Sequence, residues 1–361
     1  MPDVPNVAIL APAGYGKTTL MAQLEANEER ATAWLTLDES DSDPATLLLD
    51  IAGSLAAAGL HRTPDQNALP RRRSEDVLTR GLNELWGALD ASVPSVLFLD
   101  QVDHISSRSA RDLIAAVMMM HPENLQVLVA SRSDDGLPLP LLRSRAAVAE
   151  LTVPDLVMSQ SEVRDMFEVL GVDVPASLDG ITARTEGWPV AIYLTALAVR
   201  SGTIEPGVAE LRGDDILFAD YLEQELLGRV SDETRSFLVR TSILERLSGL
   251  LCDEVLGREG SGEVLTQLET QSLLVVPLDR TRTWYRYHSL LRDLLRSQLE
   301  RRNSGEAPSL HRKAADWFLE NDFADLAAEH AIAAGDTTRF AGIAIASARR
   351  MYSEGRVETI S

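Results

Sequence analysis

The stretch that decides the fold is VAILAPAGYGKTT, from Val7 to Thr19. Its apolar start leads into a turn with two glycines, and good helix formers then continue from Lys17 to Glu28. Continuous apolar runs recur at 33–37, 96–99 and 125–130, separated by helical patterns that include 45–60 and 74–89. Such runs are typical of strands that are buried on both faces of a parallel sheet. The sequence therefore predicts an α/β domain over residues 1–154, with a doubly wound parallel sheet.

The turn after the first predicted strand matches the phosphate-binding P-loop, G-x-x-x-x-G-K-S/T, except that Ala11 replaces the first glycine. In such a loop, backbone N–H groups at a helix N-terminus surround phosphate oxygens, and glycines allow the tight turn. We expect Lys17 to reach the β- and γ-phosphates and the Thr18 hydroxyl to bind Mg²⁺. The predicted ligand is ATP or ADP with Mg²⁺, and the predicted phosphate-binding residues are Ala13, Gly14, Tyr15, Gly16, Lys17, Thr18 and Thr19.

Asp100 ends the apolar run SVLFLD and is the predicted Walker-B carboxylate, which would hold Mg²⁺ together with Thr18. Gln101 follows it, at the position where many hydrolysing enzymes carry a second acid. Asp103 is a candidate to replace that acid, although an ordinary solvated loop explains it equally well. The catalytic candidates are therefore Asp100, Asp103 and Lys17, and we expect hydrolysis to be slow or absent.

Arg132 directly follows the apolar run at 125–130. Ligands of doubly wound sheets bind beyond the carboxyl ends of the strands, so this guanidinium is placed to contact a γ-phosphate. An arginine in this position is equally often a surface salt-bridge partner.

Strand patterns fade after Pro154, and we predict a helical domain over 155–213 that ends in a linker at 202–213. Short helices and then two strands, 272–278 and 283–287, predict a winged-helix domain over 214–305. The alanine-rich remainder, 306–361, resembles the beginning of a stack of helical hairpins, or TPR-like repeat.

The composition excludes several classes of protein. There are 55 acidic residues against 34 basic ones, a balance that repels nucleic-acid backbones. Cys252 is the single cysteine, which excludes an intrachain disulfide and a cysteine-built zinc site. No apolar run approaches the roughly 18 residues that span a bilayer, and the start lacks the basic segment of a signal peptide. We therefore expect a cytoplasmic protein without membrane contact.

Six segments together resemble the STAND ATPases, specifically the MalT-like, large ATP-binding LuxR-type transcriptional regulators. The resemblance covers nearly the whole chain and is carried by APAGYGKTTL (11–20), LDESDSDP (37–44), LVASRSDDGLPLPLLRSR (128–145), EGWP (186–189), YRYHSLLRDLL (285–295) and LHRKAADWF (310–318).

The resemblance implies that a nucleotide domain, a helical domain and a winged helix fold over one ATP or ADP, and that a superhelical sensor binds an inducer or regulatory protein. ADP would hold the switch closed, and ATP with inducer would allow self-association. Arg132 resembles the sensor arginine, Trp188 and Pro189 resemble the turn beside the adenine, and His288 is similar to a histidine that touches the β-phosphate. Without the resemblance, a core tryptophan is the slightly favoured interpretation of Trp188, and a histidine packed at a domain contact explains His288 equally well.

The first strand begins near Met1, so we expect the upstream segment that helps to close the adenine pocket to be missing and affinity to be lower. The resemblance also implies that DNA is bound only through a domain absent from this chain.

Two alternatives to the switch are a nucleotide-binding scaffold without useful hydrolysis and a hexameric motor. The motor needs an arginine finger, and the sequence places none.

Overall fold

The computed structural model describes residues 6–60, 80–174, 178–202, 215–271, 273–303 and 305–353. The chain divides into two compact units. The first consists of Met1–Ser159, Trp188–Val190 and Thr270–Ser272, and the second of Gln160–Gly187, Ala191–Glu269 and Leu273–Ser361. The predicted linker at 202–213 lies outside the described residues except for Gly202, and so does the first part of the helix predicted at 74–89.

The first unit contains a five-stranded sheet in which every pairing is parallel. Its strands are β1 (Asn6–Leu10), β2 (Ala31–Thr36), β3 (Ser95–Asp100), β4 (Leu125–Ser131) and β5 (Ala149–Leu151), in the order β2-β3-β4-β1-β5. The four predicted strands are confirmed within one or two residues. The edge strand β5 was not predicted, because three half-buried residues give no recognisable apolar run.

Helices cover both faces of this sheet. They are α1 (Lys17–Ala26), α2 (Pro44–Ala57), α3 (Leu82–Ala88), α4 (Arg108–Met120), α5 (Leu139–Ser144) and α6 (Val153–Leu156). On one face, Met21 of α1 packs with Phe98 and Leu128. On the other, α2 and α4 bury residues such as Ile51 and Leu113 in a larger core. The doubly wound parallel fold is therefore confirmed, and all six residues of β3 are buried in it.

The segment from Leu37 to Pro44 is ordered by its own aspartates. Asp38 accepts a hydrogen bond from the Ser40 backbone N–H and begins a short 3-10 helix, Glu39–Ser42. Asp43 then caps α2 by accepting from the Thr46 backbone N–H at 3.0 Å, and Pro44 occupies the first helical position. These residues satisfy N–H groups that a helix leaves without partners, and so they fix how the chain leaves β2.

The second unit is mostly helical. It contains α7 (Gln160–Val169), α8 (Leu178–Thr185), most of α9 (Pro189–Arg200), α10 (Ile216–Glu225), α11 (Asp232–Thr241), α12 (Gly249–Leu256), α13 (Ser261–Thr270), α14 (Ser289–Asn303), α15 (Ala307–Glu320), α16 (Ala324–Ala333) and α17 (Thr337–Ser353). An antiparallel hairpin precedes α14 and consists of β6 (Val275–Pro277) and β7 (Tyr285–Tyr287). The predicted hairpin is confirmed, with shorter strands. Leu247 adds an antiparallel bridge to Tyr285.

The helices α15, α16 and α17 pack in succession. Trp317 and Phe323 stack with ring centroids 6.4 Å apart, and the buried Phe318 meets Phe323 edge-on. Among the described residues, none of the helices combines the length and the apolar character needed to cross a membrane.

Candidate nucleotide-binding site

The loop between β1 and α1 has the backbone shape that a P-loop requires. Gly14 and Gly16 have φ angles of 78° and 72°, in the left-handed region. A Cβ added at Gly16 would meet no heavy atom within 4 Å, so the backbone conformation rather than crowding calls for glycine there. Gly16 is also the N-cap of α1, which places the positive end of that helix at the loop.

The Lys17 ammonium is folded back against this loop. Its Nζ donates to the backbone oxygens of Ala11 and Pro12, at 2.7 and 3.0 Å. Burial lowers the pKa of Lys17 to about 8, while the nearby Asp103 opposes that shift and Arg132 adds to it. Lys17 therefore lies near Asp103 and Arg132, which follow other strands of the sheet. Such a position is expected for a cation that binds phosphate.

Thr18 and Asp100 meet directly. The Thr18 hydroxyl donates to Asp100 Oδ2 at 2.7 Å, although 82 residues separate the two in sequence. The other carboxylate oxygen accepts from the Gln101 backbone N–H at 2.9 Å, and Gln101 itself has a left-handed φ of 60°. Asp100 is only 1% exposed. A hydroxyl and a buried carboxylate are oxygen ligands that fit Mg²⁺, which takes few protein ligands when it also binds nucleotide phosphates.

Asp103 and Arg132 form an ion pair at the ends of the neighbouring strands β3 and β4. Asp103 lies in the short 3-10 helix Val102–His104, directly after β3 and Gln101. Its Oδ1 accepts from the Arg132 backbone N–H at 3.0 Å, and its Oδ2 lies 3.3 Å from Arg132 Nε. Nothing in the sequence pattern pairs these two residues. The structure brings them together because β3 and β4 are adjacent in the sheet.

Trp188 belongs to the first unit and contacts the P-loop. It is 1% exposed, and its indole N–H donates to the Ala13 carbonyl at 3.1 Å. Its ring centroid lies 6.3 Å from that of Tyr15, and the Val190 backbone N–H donates to the Gly14 carbonyl at 3.1 Å. Pro189, which lies between them, begins α9. Trp188 is therefore both a buried tryptophan and a P-loop contact. The adenine contact stays a prediction.

His288 lies in the second unit, where it is 1% exposed. Its Nδ1 accepts from the Leu290 backbone N–H at 3.3 Å, so Nε2 carries the proton and donates to the Thr185 carbonyl at 3.2 Å. Burial lowers the pKa of this histidine, while the Glu186 carboxylate opposes that shift. The contact with a β-phosphate stays a prediction.

A half-buried ion pair beside this histidine was not predicted from the sequence. Glu186 has a left-handed φ of 52° and accepts two hydrogen bonds from Arg286, at 2.8 and 2.7 Å. It also accepts from the Ser289 backbone N–H at 3.0 Å, at the start of α14. Glu186 was visible only as part of the EGWP segment, and nothing in the sequence indicates its partner.

Two family models match separate parts of the chain. Residues 5–134 match an AAA domain, and residues 218–307 match the MalT winged helix domain. The HTH-type transcriptional regulator MalT of Cronobacter sakazakii is 28% identical over 97% of this chain and 39% of its own length. The chain resembles the MalT-like regulators. It spans about two fifths of the length of that MalT relative.

The MalT-like region also resembles part of a different kind of protein. The serine/threonine-protein kinase PknK of Mycobacterium tuberculosis is 28% identical over 92% of this chain and 31% of its own length. Among solved structures, RuvB of Thermotoga maritima aligns with 78% of this chain and 84% of its own chain, with 15% identity and a TM-score of 0.39. That structural likeness is too weak to bear on function.

Proposed function

We propose that this chain is the nucleotide-dependent switch of a MalT-like transcriptional regulator, and that it binds ATP or ADP with Mg²⁺. The observation that carries the proposal is the hydrogen bond between Thr18 and Asp100 beside Lys17. This contact supports the interpretation of Thr18 as the P-loop hydroxyl and of Asp100 as the Walker-B carboxylate, two groups that hold one metal ion. The left-handed Gly14 and Gly16 support a phosphate-binding loop around it.

Each residue of the site has a defined role in this proposal. The backbone N–H groups of residues 13–18 and the Lys17 ammonium hold phosphate oxygens, and Lys17 exchanges its two carbonyl partners for them. Thr18 and Asp100 hold Mg²⁺, which neutralises phosphate charge when bound. Thr19 supports the loop, and Trp188 and Pro189 adjoin the adenine.

Hydrolysis is proposed to be slow. Gln101 carries no charge at the position of a second acid, and both oxygens of Asp103 already accept or pair with Arg132. A carboxylate in that state is poorly placed to accept a proton from an attacking water. Slow turnover suits a switch, in which the ATP state allows self-association and the helical repeats bind an inducer or regulatory protein. DNA would be contacted through a domain outside these residues.

Nucleotide titrations of wild type, Lys17→Ala and Lys313→Ala test the proposal. Lys313 is a matched control, because its Nζ also donates to a backbone carbonyl, that of Val255, but in the second unit. A charge-assisted hydrogen bond contributes ~1.5–3 kcal/mol, so loss of Lys17 should weaken binding of fluorescent ATP by roughly 10- to 100-fold or more. Lys313→Ala should bind normally. Equal affinities in wild type and Lys17→Ala would contradict the proposal.

A second experiment separates a switch from a scaffold. Single-turnover hydrolysis of ATP by wild type is compared with that by Asp100→Ala, and size-exclusion chromatography is run with ATP and with ADP. A switch should show slow hydrolysis that depends on Asp100, and should be larger with ATP than with ADP. A scaffold should show neither difference.

A further inference from the structure

We propose that a cleft in the winged-helix domain binds a small organic anion. Its phosphate or carboxylate group would lie against Arg246 and Arg292, and its apolar part against Trp284. All residues that line the cleft belong to the second unit. The proposal therefore goes beyond nucleotide binding at the P-loop and does not depend on it.

The cleft has the size of a small-ligand site. Its volume of about 520 Å³ falls within the ~300–1,000 Å³ that such sites usually have. It is lined by the turn after α11, by the β6–β7 hairpin and by the first turn of α14. Leu247 fixes the turn against the hairpin, because its backbone N–H and carbonyl both bond to Tyr285 at 2.8 Å. The lining residues are therefore carried by connected elements of one domain.

The arginines of the cleft have donors that the protein leaves unused. Within the described part of the chain, the Arg246 guanidinium has no hydrogen-bond or ion partner, and the Trp284 indole N–H has no acceptor. Arg292 lies 3.5 Å from Glu245, and its buried Nε lacks a partner, so its charge is only partly compensated. Because an arginine has five N–H donors and keeps its charge, an oxyanion is the ligand that supplies the missing acceptors.

The carboxylates that line the cleft do not neutralise these arginines. Asp279 is used by the hairpin turn, where its Oδ2 accepts from the Trp284 backbone N–H at 2.9 Å and its Oδ1 from two other groups. Glu245 is 62% exposed, so solvent screens its pair with Arg292. The third arginine of the lining, Arg286, is already paired with a carboxylate outside it and receives no ligand contact in this proposal.

Trp284 and Leu278 give the cleft an apolar side. Leu278 is 44% exposed, and the half-buried Trp284 ring meets Trp317 and Phe323 edge-on, with centroids 6.2 Å away in both cases. A ring held in this way offers a fixed surface to the apolar part of a ligand. A nucleic-acid backbone is disfavoured, since the formal charge of −21 repels a polyanion. The observations therefore favour a small anion with an apolar part.

Ligand-observed NMR titrations with three probes test the proposal. The probes are phenyl phosphate, benzoate and the uncharged benzyl alcohol, and the variants are Arg246→Gln, Arg292→Gln and Glu245→Gln. Arg312→Gln is the matched control, because Arg312 is an exposed arginine of α15 outside the cleft. Lys17→Ala is included because the P-loop is a second candidate for phosphate. Thermal unfolding without probe checks that every variant is folded.

We expect at least one of the two anions to bind the wild type, and the tighter one identifies the oxyanion. Each arginine substitution should weaken that binding by roughly 10-fold or more, the effect of losing a charge-assisted hydrogen bond. Glu245→Gln should strengthen it by ~3-fold, because a negative charge beside the ligand is removed. A variant that merely disturbed the domain would not bind more tightly. Arg312→Gln and Lys17→Ala should bind as the wild type does, and benzyl alcohol should not bind.

Equal affinities in wild type, Arg246→Gln and Arg292→Gln would overturn the proposal, and so would the absence of binding of both anions at millimolar concentration. Loss of phenyl phosphate binding in Lys17→Ala would also overturn it, because the probe would then occupy the P-loop. Displacement of the probe by a short DNA duplex would show that the cleft takes a nucleic-acid backbone instead of a small anion. None of these outcomes alters the ATP titrations that test the proposed function.

Discussion

Two histidines in the second unit make its stability depend on pH in a direction that can be calculated. His311 of α15 and His330 of α16 lie with their Nδ1 atoms 2.8 Å apart. Such a bond needs one neutral ring that donates and one that accepts, so a proton on the accepting nitrogen breaks it. Burial, together with the positive charge of Arg296, lowers the pKa of both histidines to about 4, and His311 contributes to the shift of His330.

The sign of the effect follows from the folded and unfolded pKa values. An unfolded histidine titrates near 6.5 and the folded ones near 4, so below pH 6.5 the unfolded chain binds more protons. Stability is therefore complete above pH 6.5 and falls as the pH drops below it. Between pH 7 and 5.5 each histidine would cost ~1.2 kcal/mol, and the pair ~2 kcal/mol after allowance for solvent screening at the less buried His311.

The measurement is urea unfolding at pH 7 and pH 5.5, followed by tryptophan fluorescence, for wild type and the double variant His311→Gln/His330→Gln. Glutamine amides can still donate and accept across the helix contact but do not titrate. The double variant should lose ~2 kcal/mol less than wild type between the two pH values. His121→Gln, in the first unit, should retain the full wild-type loss. If wild type and the double variant show the same pH dependence, the account of the buried pair is wrong.

Three further outcomes follow from the described contacts. Trp188→Phe removes the N–H that bonds to the Ala13 carbonyl and should weaken nucleotide binding roughly 5-fold by calorimetric titration, since an unmade buried hydrogen bond costs ~1 kcal/mol or more. Cys252 is fully buried and its thiol pKa is raised by burial, so iodoacetamide should label it only after unfolding, as mass spectrometry would show. Burial raises the pKa of Glu186, but the hydrogen bonds from Arg286 and the Ser289 backbone N–H, together with the charges of His288 and Arg286, outweigh that effect and hold the pKa at about 2. Glu186→Gln should therefore lower stability in urea by ~2 kcal/mol at pH 7, and the difference from wild type should shrink as the pH falls below 4.5.

The sheet could be predicted from sequence because its inner strands β3 and β4 are buried on both faces and the strands beside them are largely apolar. Each of β1 to β4 is a nearly continuous apolar run, and a parallel sheet with helices on both sides is the ordinary way to bury such runs. The edge strand β5 has only three half-buried residues, so its sequence looks like loop. The local sequence pattern does not show the strand order either, because that order depends on how the helical connections cross over the sheet.

The candidate site likewise has parts that could be predicted from local sequence and parts that could not. The P-loop could be recognised from sequence because its glycines, Lys17 and Thr18 are adjacent and share one backbone requirement, which the left-handed φ angles of Gly14 and Gly16 meet. The meeting of Thr18 and Asp100 across 82 residues was predicted, because each belongs to a recognisable motif, but other contacts between distant segments were not. Asp103 and Arg132 meet across 29 residues, and Trp188 meets Ala13 across 175. A buried indole N–H needs an acceptor, which predicts that Trp188 has a partner but not which one.

The balance of charge explains why these distant contacts matter for a nucleotide site on this chain. The protein carries a formal charge of −21, which repels a polyphosphate at long range. Salt limits that repulsion to roughly 8–10 Å, so binding depends on what a nucleotide meets inside that distance. There, Lys17 and Arg132 lie near Asp100 and Asp103, and the formal charges of these four side chains sum to zero. These four side chains therefore add no net attraction for a phosphate, and binding depends on the loop N–H groups, the positive end of α1 and the Mg²⁺ proposed at Thr18 and Asp100. Lys17 leaves the carbonyls of Ala11 and Pro12 for phosphate oxygens, so binding exchanges one set of oxygen acceptors for another.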